Sequence, residues 1–305
     1  MNSPKNIAVI GLGAMGFGIA SSLLKSPHTI WVFDIDQTKV HALVARGGIA
    51  GDLGIDAAQF DIVLTVVLNH AQTESVLFGQ RGIVPRMKQG AVVISCATVP
   101  PGFAQKASAS CLEHDILYLD APISGGTVKA LEGRLSIMAS GPKAAFEAAG
   151  PALEAIAETV FNLGEEPGKG SAMKMVNQLL AGVHIAAMGE AITFGMAQGL
   201  TPEKILKVIS DCAGTSWMFE NRAPHIIEGD YTPHSAINIW PKDLGIVMDM
   251  AREKHLSVPL AKTALGQFIA AAESGLGAED DAAVAKVYAQ TAGISLPQGK
   301  GPKAH

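Results

Sequence analysis

An apolar run at 6–10 ends in Gly11-Leu12-Gly13-Ala14-Met15-Gly16, and a helical pattern follows to about residue 25. A chain that passes from strand to helix through three glycines at this spacing has few folds open to it. The first glycine permits the tight turn, and the third lets helix and strand pack closely. The second lets a pyrophosphate approach the backbone, where free amides and the helix dipole favour an anion. A simple tight turn uses the same glycines, so context decides. Residues 29–33 read as the next strand, which ends at Asp34, 21 positions after Gly13. An acid there accepts hydrogen bonds from both ribose hydroxyls and repels a 2′-phosphate, which points to NAD rather than NADP. The alternative role for Asp34 is a helix N-cap.

Further apolar runs at 61–68, 91–95 and 116–119 read as strands, and the first is continuous, as in a strand buried on both faces. Helical patterns such as 37–46 and 103–114 lie between them. Strands alternating with helices imply an α/β fold with a doubly wound, Rossmann-type parallel sheet. Beyond Gly164 strand-like runs almost vanish. Helical patterns take over at 171–199, 202–212, 242–254, 260–274 and 280–291. The expected organisation is an NAD-binding domain over 1–164 and an all-α domain over 165–294, joined by a long helix. A tail over 295–305, with two prolines and two glycines, is expected to fray.

The chain has 305 residues, 48% hydrophobic and 17% charged, enough for two domains with sizeable cores. A net charge of −5 offers no footprint for nucleic acid. Three scattered cysteines have no metal-ligand spacing and suit reduced thiols in the cytoplasm. No metal site is expected. The apolar stretch near 171–197 contains Lys174, Asn177, Gln178, His184 and Glu190, which argue for a buried helix over a membrane span.

Lys174 is the one formally charged residue between Ser171 and Gly189. Asn177 and Gln178, three and four positions on, share its helix face. A buried lysine has its pKa lowered toward neutrality and becomes a usable acid/base. A lysine that snorkels to the surface at a helix start is the competing reading. Ser124-Gly125-Gly126, after the strand at 116–119, offers a hydroxyl and unobstructed amides to a carboxylate, or else is an ordinary glycine-rich connection. His184 reads as a core histidine. His225 and His234 read as surface-loop residues, and Glu190 and Glu220 as helix-face charges. Trp217, Met218 and Phe219 suit a pocket wall and a helical core equally.

Four motifs in order, IGLGAMG at 10–16, DAPISGG at 120–126, GKGSAMKMVNQ at 168–178 and KDLG at 242–245, make the chain resemble the β-hydroxyacid dehydrogenase family. That family includes hydroxyisobutyrate dehydrogenases and tartronate semialdehyde reductases. The resemblance implies that Lys174 is the catalytic acid/base, that Ser124, Gly125 and Gly126 hold the substrate carboxylate, and that Asn177 and Gln178 face the substrate. Many relatives have Asn-Asn at the last two positions. It assigns Gly11 to Gly16, Asp34, Val67, Leu68, Thr98 and Lys242 to the cofactor, with Lys242 closing over the nicotinamide end. Ser95-Cys96-Ala97-Thr98 departs from the family pattern, as does Asn69, where many relatives place proline.

Within the family, LLAGVHIAAMGEA at 179–191, SWMFENR at 216–222 and GDYTPHSAINIWPKDLG at 229–245 are similar to L-threonate dehydrogenases. The implied activity is NAD-dependent oxidation of a four-carbon sugar acid by a homodimer or homotetramer. The alternatives are a 3-hydroxyisobutyrate dehydrogenase, a tartronate semialdehyde reductase, or a non-catalytic NAD-binding sensor.

Overall fold

The structure, a computed structural model, describes residues 3–299. By packing, the chain divides into two units between Lys174 and Met175. The first holds five parallel strands: β1 (Asn6–Ile10), β2 (Thr29–Phe33), β3 (Ile62–Thr65), β4 (Val92–Ser95) and β5 (Leu117–Asp120). Their order is β2-β1-β3-β4-β5. Alternate side chains enter opposite faces. Ile7, Val9, Ile62, Leu64, Val92 and Ile94 pack on one side, and Ala8, Ile10, Val63 and Val93 on the other. Helices α1 (Ala14–Leu23), α2 (Gln37–Val44), α3 (Leu53–Asp56), α4 (His70–Phe78) and α5 (Pro101–Leu112) make the connections. The strand order reverses between β1 and β3. In open sheets of this kind the crevice at the carboxyl ends of such strands is where ligands bind.

A three-stranded sheet completes this unit. It is built from β6 (Ile123–Ser124), β7 (Leu135–Ala139) and β8 (Ala157–Asn162), with α6 (Gly126–Glu132) and α7 (Lys143–Ile156). Sequence reading missed these strands. β6 has two residues, and β8 is an exposed edge along nearly its whole length, so neither carries an apolar alternation.

The long helix α8 (Lys169–Ala197) begins in the first unit and ends in the second. The sequence places the boundary at Gly164, and packing places it ten residues later. The cause is local: the first turn of α8 is bonded to the end of β5, where Asp120 accepts from the amides of Gly168 and Ser171. Gly170 lies so close to the carbonyls of Met138 and Asp120 that a side chain would not fit.

The second unit packs α9 (Pro202–Ser210), α10 (Trp217–Glu228), α11 (Ile239–Glu253), α12 (Pro259–Ala271) and α13 (Ala285–Ala292) around the rest of α8. Gly182, Gly189 and Gly195 are notches on α8 that admit Trp240 and Leu244, Ala285, and Ile205 respectively. The helix expected from residue 280 starts later, because Asp280 caps a single 3-10 turn over Asp281–Val284. Length and composition would let α8 cross a bilayer, yet its inner face, Ile185, Ala186, Met188 and Ile192, lies in this core. Within the expected tail, Leu296 packs on the core and Gly299 lies against Gly229. The remainder of the expected tail, 300–305, lies outside the described residues.

Candidate active site

A cleft of about 700 Å³ opens at the carboxyl ends of β1 and β3, a volume suited to a cofactor. Gly11, Gly13, Asp34, Val67, Leu68 and Gln72 are among its walls. The glycines separate by cause. Gly11 has φ +94° and lies against the Val66 backbone. Gly16 has no room for a side chain beside the Gly11 carbonyl. Gly13 is different: its φ is −62°, open to any residue, and no atom lies within 4 Å of where a Cβ would stand. Neither conformation nor packing requires a glycine there, whereas a dinucleotide pyrophosphate lying against the loop would. The residues therefore fit the cofactor.

Asp34 is not the N-cap of α2; that role belongs to Asp36, which accepts from the Thr38 amide. Asp34 instead accepts from the amide of Leu12 through Oδ2 and from that of Asp36 through Oδ1, tying the glycine loop to the end of β2. Ile35 beside it is fully exposed. Val67 and Leu68 face the cleft from the loop after β3, where Asn69 caps α4 by accepting from the Gln72 amide at 2.9 Å. Gln72 Oε1 accepts in return from the Leu68 amide at 2.8 Å. The departure at Asn69 thus replaces a rigid proline with a capped helix start. Leu12, Ala14, Met15 and Gly16 form the turn and the start of α1. Thr98 is half-buried in the loop after β4 and does not line the cleft.

Lys174 is only 9% exposed, so its amine is turned inward rather than to solvent. Its Nζ donates to the carbonyl of Ile123 at 2.9 Å. Ser124 follows directly, and Gly125 and Gly126 adopt φ +132° and +77°. Successive residues at positive φ are strained for any side chain but suit a backbone concavity for anions. One stretch of chain therefore grips the lysine and forms the candidate carboxylate cradle.

In the second unit, Asn177 Nδ2 donates to Gln178 Oε1 at 2.9 Å, and Gln178 Nε2 donates to Asp243 Oδ2 at 2.5 Å. Asp243 is buried, and its Oδ1 lies 2.6 Å from Lys242 Nζ. The structure thus links Asn177, Gln178 and Lys242 through an aspartate that sequence reading did not single out.

Two family models match the chain. The NAD binding domain of 6-phosphogluconate dehydrogenase covers residues 6–164, and the NAD-binding domain of NADP-dependent 3-hydroxyisobutyrate dehydrogenase covers 168–288. An L-threonate dehydrogenase of Cupriavidus necator is 46% identical over 297 residues, 96% of this chain and 98% of that protein. The chain belongs to the β-hydroxyacid dehydrogenase family. It is an NAD-dependent hydroxyacid dehydrogenase. An NAD-dependent L-serine dehydrogenase of Pseudomonas aeruginosa is 32% identical, over 95% of this chain and 99% of that one. A crystal structure described as 3-hydroxyisobutyrate dehydrogenase from Salmonella typhimurium superposes with a TM-score of 0.88 at 41% identity, covering 93% of this chain and 99% of that one.

Other polar and aromatic residues of this dehydrogenase fall out as follows. Phe219 is buried in the helical core and Met218 packs against it, whereas Trp217 is 59% exposed. His184 is half-buried on α8. His225 lies half-buried on α10 rather than in a surface loop, whereas His234 is exposed in the loop before α11. Their rings meet edge to face at 4.8 Å, and His225 Nδ1 lies 2.8 Å from Asp280 Oδ1. Glu220 accepts from the Thr215 hydroxyl at the start of α10. Among the described residues no group of three or more His, Cys, Asp or Glu side chains could hold a metal ion.

Sequence reading also missed Asp120. It lay inside a recognised motif, but its partners lie some fifty residues away and leave no local signal.

Proposed function

We propose that this dehydrogenase oxidises L-threonate to 2-dehydro-L-erythronate, with Lys174 as the general acid/base. The observation that carries the reading is the buried Lys174 amine, held by Ile123 immediately before Ser124-Gly125-Gly126. Those three residues bind the substrate carboxylate and fix the small acid at one end. Lys174, in its neutral form, takes the proton from the 2-hydroxyl. Asn177 steadies that hydroxyl, and Gln178 and Asp243 hold Asn177 and Lys242 in register. In the reverse direction protonated Lys174 returns the proton to the same oxygen. Such positioned transfer contributes about 100- to 10,000-fold. NAD, when bound, supplies the hydride acceptor. Gly11 to Gly16, Asp34, Val67 and Leu68 would hold it, with Thr98 and Lys242 toward the nicotinamide. Asp34 carries the preference for NAD over NADP.

The 46% identity to an L-threonate dehydrogenase supports the substrate. The name of the Salmonella structure supports 3-hydroxyisobutyrate as the second reading. Steady-state rates with NAD on L-threonate and 3-hydroxyisobutyrate, and with NADH on tartronate semialdehyde, decide between them. Turnover confined to a 3-hydroxy acid would reverse the choice. Lys174→Ala should abolish turnover and leave NADH binding intact; retained turnover would remove Lys174 from its role.

The reading extends to a cytoplasmic homodimer or homotetramer with no membrane or nucleic-acid partner. Free thiols at Cys96, Cys111 and Cys212 support the compartment. Exposed Val176, Leu180 and Phe194 form an apolar stripe along α8 that supports association. Light scattering should give two or four chains per particle, and a monomer would refute this part.

A further inference from the structure

We propose that Asp120 is a positioning residue for Lys174, setting where the amine stands relative to Ser124-Gly125-Gly126. This rests on the reading of Lys174 as the acid/base. Asp120 ends β5 and is fully buried. Its Oδ2 accepts from the amides of Gly168 at 3.0 Å and Ser171 at 2.8 Å, and from the Ser140 hydroxyl at 3.4 Å. Its Oδ1 accepts from the Ser171 hydroxyl at 2.7 Å. Ser140 Oγ in turn accepts from the Gly170 amide at 2.9 Å. The unpaired amides at the start of α8 are thus satisfied by a residue from another element, and the positive end of the helix dipole faces a carboxylate.

A serine or asparagine inside the helix's own sequence would cap these amides without burying a carboxylate. Burial pushes the Asp120 pKa up, and the Ser171 hydroxyl and the amides pull it back. What the remote carboxylate adds is register. Ser171 is three residues, less than one turn, before Lys174, a rise of about 4.5 Å. Three residues after Asp120, Ile123 takes the lysine tip. Between them Pro122 has its φ fixed by its ring. The segment 120–123 therefore holds α8 at two points, at the backbone through Asp120 and at the amine through Ile123. The carboxylate cradle begins at the next residue. With Asp120 gone, the first turn of α8 keeps no fixed place on β5, and the amine drifts from the cradle. A displacement of about 1 Å at a reacting group can cost about a hundredfold in rate.

The test uses the full chain with the acid it turns over, and expresses kcat per NADH-binding site so that unfolded protein is not counted. Asp120→Ala should lower kcat by about 10- to 100-fold and leave the NAD KM within about twofold. Asp120→Asn keeps an oxygen for the two amides and reverses the bond to Ser171, so it should recover most of the loss. Ser171→Ala should lower kcat a few-fold. A purely structural role would lower the melting temperature and the number of NADH sites while leaving kcat per site unchanged, and that result would overturn the proposal. If Asp120→Ala does not fold, Ser171→Ala decides alone: wild-type kcat per site sinks the idea. Lys174→Ala separates the two layers. If it keeps its turnover, the role of Lys174 fails. If it loses turnover while Asp120→Ala and Ser171→Ala do not, only the positioning role fails.

Discussion

Gly13→Ala should leave the fold intact and weaken NAD binding, an outcome that separates a ligand-imposed glycine from a structural one. The backbone at Gly13 already suits alanine, and no atom lies within 4 Å of the added carbon. Stiffening the unfolded chain stabilises by about 0.4–1 kcal/mol. Gly13 is also the N-cap of α1, where alanine is the poorer residue by about 0.5–1 kcal/mol. The two terms nearly cancel, so the melting temperature should move by less than about 2–4 °C. For the cofactor there is no such cancellation. A methyl group on the loop keeps the pyrophosphate from the backbone amides, and losing one hydrogen bond to a charged group costs about 1.5–3 kcal/mol. That is about a 10- to 150-fold rise in Kd. Fluorescence titration with NADH alongside thermal melting reads both quantities. Gly16→Ala is the contrast: its side chain meets the Gly11 carbonyl, so melting temperature and affinity should fall together. An unchanged Kd in Gly13→Ala would refute the placement of the pyrophosphate on this loop.

Asp34→Asn keeps an oxygen for the Leu12 amide, gives up the bond from the Asp36 amide, and removes the charge that repels a 2′-phosphate. The ratio of kcat/KM for NAD over NADP should fall at least about tenfold, and an unchanged ratio would move the discrimination elsewhere. Gln178→Asn shortens the side chain by one methylene and breaks the reach to Asp243. The kcat/KM for the acid should fall by about tenfold with the Kd for NADH unaltered. An equal fall in NADH affinity would mean the link serves the cofactor instead. Burial would raise the Asp280 pKa, but bonds from His225 and from the Ala282 and His234 amides, with Arg222 nearby, outweigh it and hold it at about 2. Its stabilisation is complete above the usual value of 3.8 and is lost as pH falls toward 2. Asp281, pushed up to about 6 by burial, acts in the opposite sense and weakens the unit as pH rises through that value. Melting curves from pH 5 down to 2 should show the loss due to Asp280, with the acid midpoint moved upward in His225→Ala; an unmoved midpoint would contradict it.

Short-range signals were legible in the sequence. β3 and β4 are buried throughout and apolar up to their last residues, Thr65 and Ser95, and the glycine turn and Asp34 announced the crevice. Lys174 stood out because no other formally charged residue lies between Ser171 and Gly189. What escaped depends on pairs distant along the chain. Asp120 reaches 51 residues to Ser171, Gln178 reaches 65 to Asp243, and His225 reaches 55 to Asp280. None of these leaves a periodicity or a motif, so a buried aspartate and a surface one look alike. β8 escaped for the opposite reason: its side chains are nearly all exposed, so no alternation marks it. Trp217, Met218 and Phe219 could be divided between surface and core only once the turn ending at Ser216, the N-cap of α10, fixed the helix phase.

Asp34 and Ile35 are adjacent, yet the chain can spare only one of them. Ile35 touches solvent and supports nothing, so it is open to exchange for a cation without harm to the scaffold. Asp34 pins the glycine loop through Leu12, so the side chain we propose for coenzyme choice also braces the turn. Retargeting this enzyme to a phosphorylated coenzyme is therefore best begun at the isoleucine, with the acid softened to an amide rather than deleted.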